Sequence, residues 1–238
     1  MSDGDIADAR RPSRRDATRT AIILAAERIF SEEGLSNTPL RRITQAAGQR
    51  NESAIHYHFG SREGLVAAIL ELRTTPINRA RVEILMRMRA EAAGAPLTSR
   101  DVAAALSRPL HEYLRESGGR SSYLRFLGML WLDRPMWRQF ERRAQDEGLI
   151  IGLEALLEAK PHLPADLVRH RYGLAIQMST YALARMERFA SDRGEAFDWL
   201  RAEADLSDLI DAIAAIFDAP ISSETVQALR AREAGRGD

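Results

Sequence analysis

Apolar side chains recur at the spacing of an α-helix along almost the entire chain, and this periodicity limits what the chain can fold into. The pattern begins with Ala21, Ile22, Ala25, Ile29 and Phe30, which share one helical face. Alternating apolar and polar runs, which are typical of β-strands, are missing from the sequence. We therefore expect an all-α fold.

Helix-ending and helix-starting residues divide the first 72 residues into four helices. The predicted stops are Gly34, Gly48 and Gly60, and the predicted starts are Thr38 with Pro39, Asn51 and Ser61. Beyond Pro76 the pattern predicts helices over about 77–92, 99–116, 121–131, 135–159, 164–190 and 203–218. The polar ends, 1–15 and 221–238, are predicted to be flexible.

The chain has 238 residues and no cysteine. This absence excludes disulfide frameworks, thiolate zinc sites, iron–sulfur clusters and cysteine nucleophiles. No apolar run approaches the roughly 18 residues of a membrane-spanning helix, and the charged N-terminus does not look like a signal peptide. We expect a soluble, cytoplasmic protein.

Charge is balanced overall but concentrated near one end. The formal net charge is zero, yet residues 10–62 carry ten arginines against five acidic residues. This imbalance is typical of a module that faces a polyanion and is attached to a larger body. A chance fluctuation among solvated arginines is the alternative explanation.

The segment from Thr38 to Phe59 has the spacing of a helix-turn-helix. Two short helices are predicted to pack through Leu40, Ile43, Ala47, Ile55 and Phe59. The outer face of the second helix, with Asn51, Glu52, Ser53 and His56, is then available to a major groove. Spacing alone also fits two short helices in an unrelated helical protein.

The stretch from Thr18 to Leu70 strongly resembles the DNA-binding domain of the TetR family of bacterial transcription regulators. The matching features are Ala25-Ala26 with Phe30, Gly34, Thr38, Leu40-Arg41 with Ile43, Ala46-Ala47-Gly48, Ile55-His56-Tyr57-His58-Phe59, and Ser61-Arg62-Glu63 with Leu65. Two departures are an arginine at Arg62, where the family often has lysine, and a turn around Gln49–Glu52 that is one residue longer than usual. The resemblance implies a three-helix head followed by a linking fourth helix.

The resemblance also implies roles for individual residues of the head. Thr38 and Arg41 are expected to meet the DNA backbone or groove edge, and Tyr57 and Arg62 to hold phosphates. Base reading is assigned to Arg50, Asn51, Glu52, Ser53 and His56. The N-terminal arginines, Arg10, Arg11, Arg14, Arg15 and Arg19, form either an arm along the DNA or a solvated tail.

The family resemblance implies that the remaining helices bind a small molecule and form a homodimer. The expected dimer contacts, Leu174, Leu206, Leu209, Ile213 and Ile216, lie at helical spacing on the last two long helices. The alternative is that these apolar stripes face the core of the monomer. Expected effector contacts are His111, Tyr123, Phe126, Trp131, Trp137, Gln177, Met178 and Tyr181. Ordinary core packing is the alternative for the large apolar residues.

An enzyme is not expected. His162, Asp166 and His170 have a spacing that places metal ligands on one helical face, but Pro164 is expected to begin the helix and leave His162 in the preceding loop. Phosphate-binding glycine loops, nucleophile elbows and HExxH motifs do not occur in the sequence. We expect neither a cofactor nor a metal ion.

These features predict four parts: a flexible N-terminal arm over 1–15, a helix-turn-helix domain over 16–72, an effector-binding and dimerisation domain over 73–220, and a flexible tail over 221–238. The predicted function is a dimeric repressor that binds a palindromic DNA operator and is released by a small apolar or amphipathic effector. A helical small-molecule sensor or carrier without specific DNA binding is the alternative. A nonspecific DNA-packaging protein is disfavoured by the neutral net charge.

Overall fold

The computed structural model of the chain describes residues 13–140 and 146–234. Within these ranges the chain forms α-helices and no strand, which confirms the all-α class. In chain order the helices are α1 (Arg14–Glu33), α2 (Leu40–Ala46), α3 (Ser53–Phe59), α4 (Arg62–Glu91), α5 (Ser99–Glu116), α6 (Tyr123–Leu132), α7 (Arg134–Phe140), α8 (Glu147–Ala159), α9 (Ala165–Arg193), α10 (Trp199–Asp218) and α11 (Ser223–Ala234). None of the helices in the described ranges is both long enough and apolar enough to cross a membrane.

Helices α1 to α3 and the start of α4 form the N-terminal head. Their apolar faces meet around five fully buried side chains, Ile22, Phe30, Ile43, Ile55 and Leu65. These residues occupy the positions that the helical periodicity placed inside. The head is therefore held together by contacts among elements that are close in sequence.

The larger part of the chain packs around α5, which contacts α4, α8, α9 and α10. Helix α6 lies between α1 of the head and α9 of the larger part. Helix α4 belongs to both regions, since its first turns pack against α1 and α3 and its later turns against α5 and α8. Two helices, α4 and α6, thus connect the head to the body.

Helix α4 is continuous where the sequence predicted two helices, 61–72 and 77–92. It runs from Arg62 to Glu91 with Pro76 inside it. Proline removes one helical hydrogen bond, but Pro76 is exposed, so water can satisfy the carbonyl that lacks a partner. The prediction of a break at Pro76 was wrong because the packing on either side continues through it.

Side-chain caps correct several other helix limits. The predicted helix 135–159 is two helices, and Asp146 begins the second by accepting a hydrogen bond from the Leu149 amide at 2.8 Å. Helix α10 begins at Trp199 rather than 203, because Asp198 caps the amide of Arg201. The predicted flexible tail contains α11, whose first turn is capped by Ser222.

The predicted N-terminal arm falls only partly within the described residues. Arg10 and Arg11 lie outside them. Helix α1 begins at Arg14, and the hydroxyl of Ser13 accepts a hydrogen bond from the Asp16 amide to cap it. Arg14 and Arg15, which were predicted to belong to the arm over 1–15, therefore lie in the first helix of the head.

Candidate functional site

Helix α3 presents a polar face to solvent. Ser53, His56 and Tyr57 are exposed, and the Tyr57 side chain is 68% exposed, while Ile55 on the opposite face is fully buried in the head. The burial of Ile55 fixes the rotation of this short helix about its own axis. The three polar side chains are therefore held outward on a rigid support.

Two local hydrogen bonds orient the polar groups of this face. Asn51 was expected to cap α3, but the N-cap is Glu52; Oδ1 of Asn51, one residue earlier, accepts from the Ser53 amide at 3.0 Å. Nδ1 of His56 donates to the Gly60 carbonyl at 3.0 Å. Because a carbonyl only accepts, Nδ1 carries the proton and Nε2 is the ring nitrogen that remains to meet a partner.

Arginine side chains surround α3. The guanidinium of Arg15 lies 5.3 Å from the centre of the Tyr57 ring, and that of Arg19 lies 5.4 Å from the centre of the Phe59 ring. Arg41 on α2 and Arg50 in the turn before α3 are exposed. A shallow cleft between Thr18 on α1 and the start of α3 adjoins them. This face of the head combines positive charge with exposed hydrogen-bonding groups.

Two predicted DNA contacts, Thr38 and Arg62, are engaged inside the head. Thr38 is 1% exposed and its hydroxyl donates to the Gly34 carbonyl at 2.7 Å instead of capping α2. Arg62 donates to the carbonyls of Leu35 and Thr38 and lies over the Phe30 ring. Both side chains secure the turn between α1 and α2. Burial leaves the Thr38 hydroxyl no access to DNA, whereas Arg62 is only partly buried and its phosphate contact stays a prediction.

A cavity of about 560 Å³ lies among helices α4 to α9. Its aromatic wall is formed by Tyr123, Trp131, Trp137 and Tyr181. The Trp131 ring meets the Trp137 and Tyr181 rings edge-on, with centroids 6.0 Å and 5.7 Å apart. The volume and the apolar lining are those of a small-molecule site.

A buried ion pair forms the polar side of this cavity. Nη1 of Arg81 donates to both carboxylate oxygens of Asp146, at 2.9 Å and 3.2 Å. Their side chains are 5% and 10% exposed, respectively. Nε of Arg81 and Nε1 of Trp131 are buried without a hydrogen-bond partner among the described residues. Both donors belong to side chains that line the cavity.

Two buried carboxylates hold the first turn of α6, the helix that carries Tyr123 and Trp131. Glu27 of α1 accepts from the Ser122 amide at 3.1 Å and from Nε of Arg73 at 2.7 Å. Glu187 of α9 accepts from the amides of Leu124 and Arg125 at 3.2 Å and 3.0 Å. Burial raises the pKa of the Glu187 carboxyl, although these backbone hydrogen bonds act in the opposite direction.

Comparison with protein-family models matches both regions of the chain. The model described as bacterial regulatory proteins, tetR family, matches residues 22–69, and the model described as tetracyclin repressor-like, C-terminal domain, matches residues 104–215. The chain belongs to the TetR family. The expected resemblance is confirmed, and the match extends from the head into the larger helical part.

Individual TetR-family proteins are similar to parts of this chain. The transcriptional repressor NicS of Pseudomonas putida is 34% identical over 74 residues, which are 31% of this chain and 34% of NicS. The regulator AcrR of Shigella flexneri is 36% identical over 81 residues, 34% of this chain and 35% of AcrR. The chain therefore matches about a third of the length of these curated relatives.

A solved structure shares the TetR-family fold along most of the chain. The crystal structure of NalD, the secondary repressor of the MexAB-OprM multidrug efflux pump in Pseudomonas aeruginosa, has a TM-score of 0.54 and 21% sequence identity. The similarity covers 84% of this chain and 96% of NalD. At this level of identity the comparison establishes a common fold.

In this TetR-family chain, five of the eight predicted effector contacts line the cavity: Tyr123, Trp131, Trp137, Gln177 and Tyr181. The other three do not. Phe126 of α6 is fully buried against α1, and Met178 packs against the hydrophobic core without lining the cavity. His111 is buried against Trp199, and burial lowers its pKa.

Sequence reasoning missed Arg81 and Asp146. Arg81 follows Ile77 by four residues and precedes Ile84 and Leu85, so helical periodicity puts it on the buried face. A charged residue among buried positions was the signal that pointed to it. Asp146 follows a polar run, and nothing in that run distinguishes it from a solvated acid.

Three of the five expected dimer contacts are already covered by the chain itself. Leu206, Leu209 and Ile213 are buried within the chain itself, on the face of α10 that packs against α5 and α9. Ile216 is partly buried, while Leu174 on α9 is 43% exposed. Core packing therefore explains three of the five residues, while Leu174 and part of Ile216 remain accessible to a second copy.

The histidine and aspartate cluster does not form a metal site. His162 lies in the turn before α9, as Pro164 predicted, and Asp166 pairs with Arg169. Within 13–140 and 146–234, no group of three histidine, aspartate or glutamate residues is arranged to hold a metal ion.

The Tyr123 phenol at the cavity wall is expected to make folding stability depend on alkaline pH. Burial raises its pKa from 10.0 to about 12. Because the pKa of Tyr123 is higher in the folded state than in the unfolded state, the stability that depends on the neutral phenol is complete below pH 10. It is lost as the pH rises towards 12. The loss amounts to about 2 to 3 kcal/mol, and denaturant titrations of the wild type and Tyr123→Phe at a series of pH values measure it.

The matched control for this titration is Tyr57→Phe, because the Tyr57 phenol is 68% exposed. Tyr123→Phe is expected to flatten the alkaline decline and Tyr57→Phe to leave it unchanged. Some decline remains in Tyr123→Phe, since burial also raises the pKa of Tyr172. Equal slopes in Tyr123→Phe and the wild type would show that the Tyr123 phenol is accessible to solvent.

Proposed function

We propose that this TetR-family chain is a dimeric transcriptional repressor that binds a palindromic DNA operator and releases it when a small effector occupies the cavity. The observation that carries the proposal is the exposed face of α3, where Ser53, His56 and Tyr57 project from a helix fixed by Ile55. Its length and position in a helix-turn-helix suit a major groove. A repressor that binds operator DNA is expected in the cytoplasm.

The residues around α3 divide into two roles. Arg15, Arg19, Arg41 and Tyr57 supply charge and a hydroxyl for phosphates, which position the head without reading sequence. Arg50, Asn51, Glu52, Ser53 and His56 are the proposed base-reading residues. Nε2 of His56 accepts from a base amino group when the ring is neutral.

The proposed homodimer brings two heads to successive major grooves. Helix α9 exposes Leu174, Tyr181 and Phe189, which are 43%, 44% and 42% exposed, respectively. Large apolar side chains spaced along one long helix are typical of a surface that a second copy covers. Leu174 remains a proposed dimer contact on this basis.

The cavity and the head share two helices, which supports an effector response. Thr74, Ile77 and Arg81 of α4 line the cavity, while Arg62 of the same helix secures the turn before α2. Tyr123 and Trp131 of α6 line it as well, and the start of α6 is bound to Glu27 of α1. Displacement of either helix by an effector changes the position of the head relative to the body.

Selection of bound sequences from a random duplex library, with the full chain at near-physiological salt, tests this function. A two-fold symmetric motif is expected, with half-sites about 34 to 36 Å apart or a multiple of that distance. Ser53→Ala and His56→Ala are expected to change base preference by about 1 to 3 kcal/mol at one position. Arg41→Ala and Tyr57→Phe are expected to weaken binding to all sequences alike.

Arg79→Ala is the matched control, because Arg79 is an exposed arginine on α4, away from the head and from α9, that pairs with Glu83. It is expected to leave operator affinity unchanged. DNA affinity that is indifferent to all four head variants contradicts the proposal. That result favours a helical small-molecule sensor without specific DNA binding.

A further inference from the structure

The two unsatisfied donors in the cavity wall indicate what kind of molecule the cavity takes. Nε of Arg81 and Nε1 of Trp131 are buried and have no partner among the described residues. Both groups donate and neither accepts. A buried donor without an acceptor is destabilising, so a ligand that presents oxygen lone pairs to these groups gains more than one that presents N–H groups.

Charge favours an anion over a neutral acceptor. Within 13–140 and 146–234, the charged residues that line the cavity are Arg81, Arg134 and Asp146, so positive charge is in excess among them. Asp146 is also shared, because its Oδ1 accepts from the amide of Leu149 at the N-terminus of α8 as well as from Arg81. The carboxylate therefore neutralises the guanidinium only in part.

The remaining wall favours a flat ring. Trp131, Trp137 and Tyr181 meet edge-on, which leaves ring faces and edges for an aromatic partner. The exposed residues Leu132, Gln177 and Tyr181 line the cavity where it opens to solvent. An aromatic body of one to three fused rings suits a cavity of about 560 Å³.

We propose that the effector is a planar aromatic acid whose carboxylate accepts hydrogen bonds from Nε of Arg81 and Nε1 of Trp131. Its ring lies among Trp131, Trp137 and Tyr181. This inference rests on the proposed effector response, and it names the chemical class that the cavity selects. Aromatic amines of the same shape are rejected, because they add positive charge and leave both donors unsatisfied.

The test measures dissociation constants of the full-length chain by calorimetry for benzoate, 1-naphthoate and 9-anthroate, each beside its aminomethyl analogue. At least one acid is expected to bind, with its amine analogue about 10-fold or more weaker. Arg81→Lys retains a cation beside Asp146 but lacks the Nε donor, and it is expected to weaken acid binding about 10- to 100-fold. Trp131→Phe removes only the indole N–H and part of the ring, and about a 10-fold loss is expected.

Trp199→Phe is the matched control, since Trp199 packs against Phe197 and His111 outside the cavity lining. It is expected to leave acid affinity unchanged. If Arg81→Lys fails to fold, the comparison of Trp131→Phe with Trp199→Phe decides alone. Absence of binding by all three acids, amines that bind as tightly as acids, or equal affinities in Trp131→Phe and Trp199→Phe overturns the proposal.

Operator affinity measured in the same samples separates this inference from the proposed function. Acid binding with the expected variant pattern but without loss of operator affinity supports the ligand class and contradicts the effector response. Operator release by an aromatic amine and not by the acids supports the response and overturns the ligand class.

Discussion

Replacement of Phe126 by alanine is expected to lower the free energy of unfolding by about 3 to 5 kcal/mol. Phe126 is fully buried on α6, and its ring centre lies 6.4 Å from that of Phe30 on α1 and 6.3 Å from that of Tyr123. Truncation leaves a void at the contact between the head and the body, because neither helix can move inward alone. Chemical denaturation at a fixed protein concentration measures the change.

The control for Phe126→Ala is Leu200→Ala, which truncates an apolar side chain that is 85% exposed on α10. Its expected cost is below about 1 kcal/mol. Similar costs for the two variants would mean that Phe126 is not part of a packed core. An unchanged unfolding free energy together with weaker binding of 1-naphthoate would return Phe126 to the effector site that the sequence predicted.

Positions set by local pattern were predictable from the sequence. The period of the apolar residues placed Ile22, Phe30 and Ile43 inside the head, and Gly34 and Ser61 were identified as the end of α1 and the cap of α4. Helical period and capping depend on neighbours within a few residues, so one chain contains all the information needed. The family resemblance added the order of the helices and the position of the polar face.

Roles that depend on distant contacts were not predictable in this way. Arg62 looked like a phosphate ligand, but its hydrogen bonds go to carbonyls 24 and 27 residues earlier in the chain. An apolar stripe such as that of Leu206 and Leu209 shows that a face is covered, but not whether its own chain or a second copy covers it. Family motifs identify a position, whereas tertiary packing decides which partner the side chain meets.

The cavity shows the same distinction. Aromatic residues in the segment 123–140 were predicted to line a pocket, yet Phe126 and Trp131, five residues apart on α6, point to different surroundings. The polar groups come from α4 and from the start of α8, which lie 65 residues apart at Arg81 and Asp146. No local pattern connects these two residues, and only the packing of α4 against α8 brings them together.

The second large effect is expected at Glu187, where alanine should lower the free energy of unfolding by about 3 to 5 kcal/mol. The Glu187 side chain is fully buried, and its carboxylate accepts from two amides at the start of α6 and from Nε of Arg125 at 3.3 Å. Alanine removes the acceptor of all three hydrogen bonds at once. The Arg125 guanidinium, whose side chain is only 14% exposed, then lacks its carboxylate. The loss therefore includes desolvation of unpaired groups as well as the hydrogen bonds themselves.

Glu187→Gln separates these contributions, because an amide oxygen still accepts from the start of α6 but provides no charge for Arg125. Glu187→Gln is expected to lower the free energy of unfolding by less than Glu187→Ala does. Glu158→Ala is the surface control: Glu158 is 60% exposed in its pair with Arg89, and its loss is expected to cost less than about 1 kcal/mol. If Glu187→Ala were as mild as Glu158→Ala, the start of α6 would not depend on α9. Glu27 of α1 would then be its principal support, and a movement of α6 in the cavity would pass directly to the head.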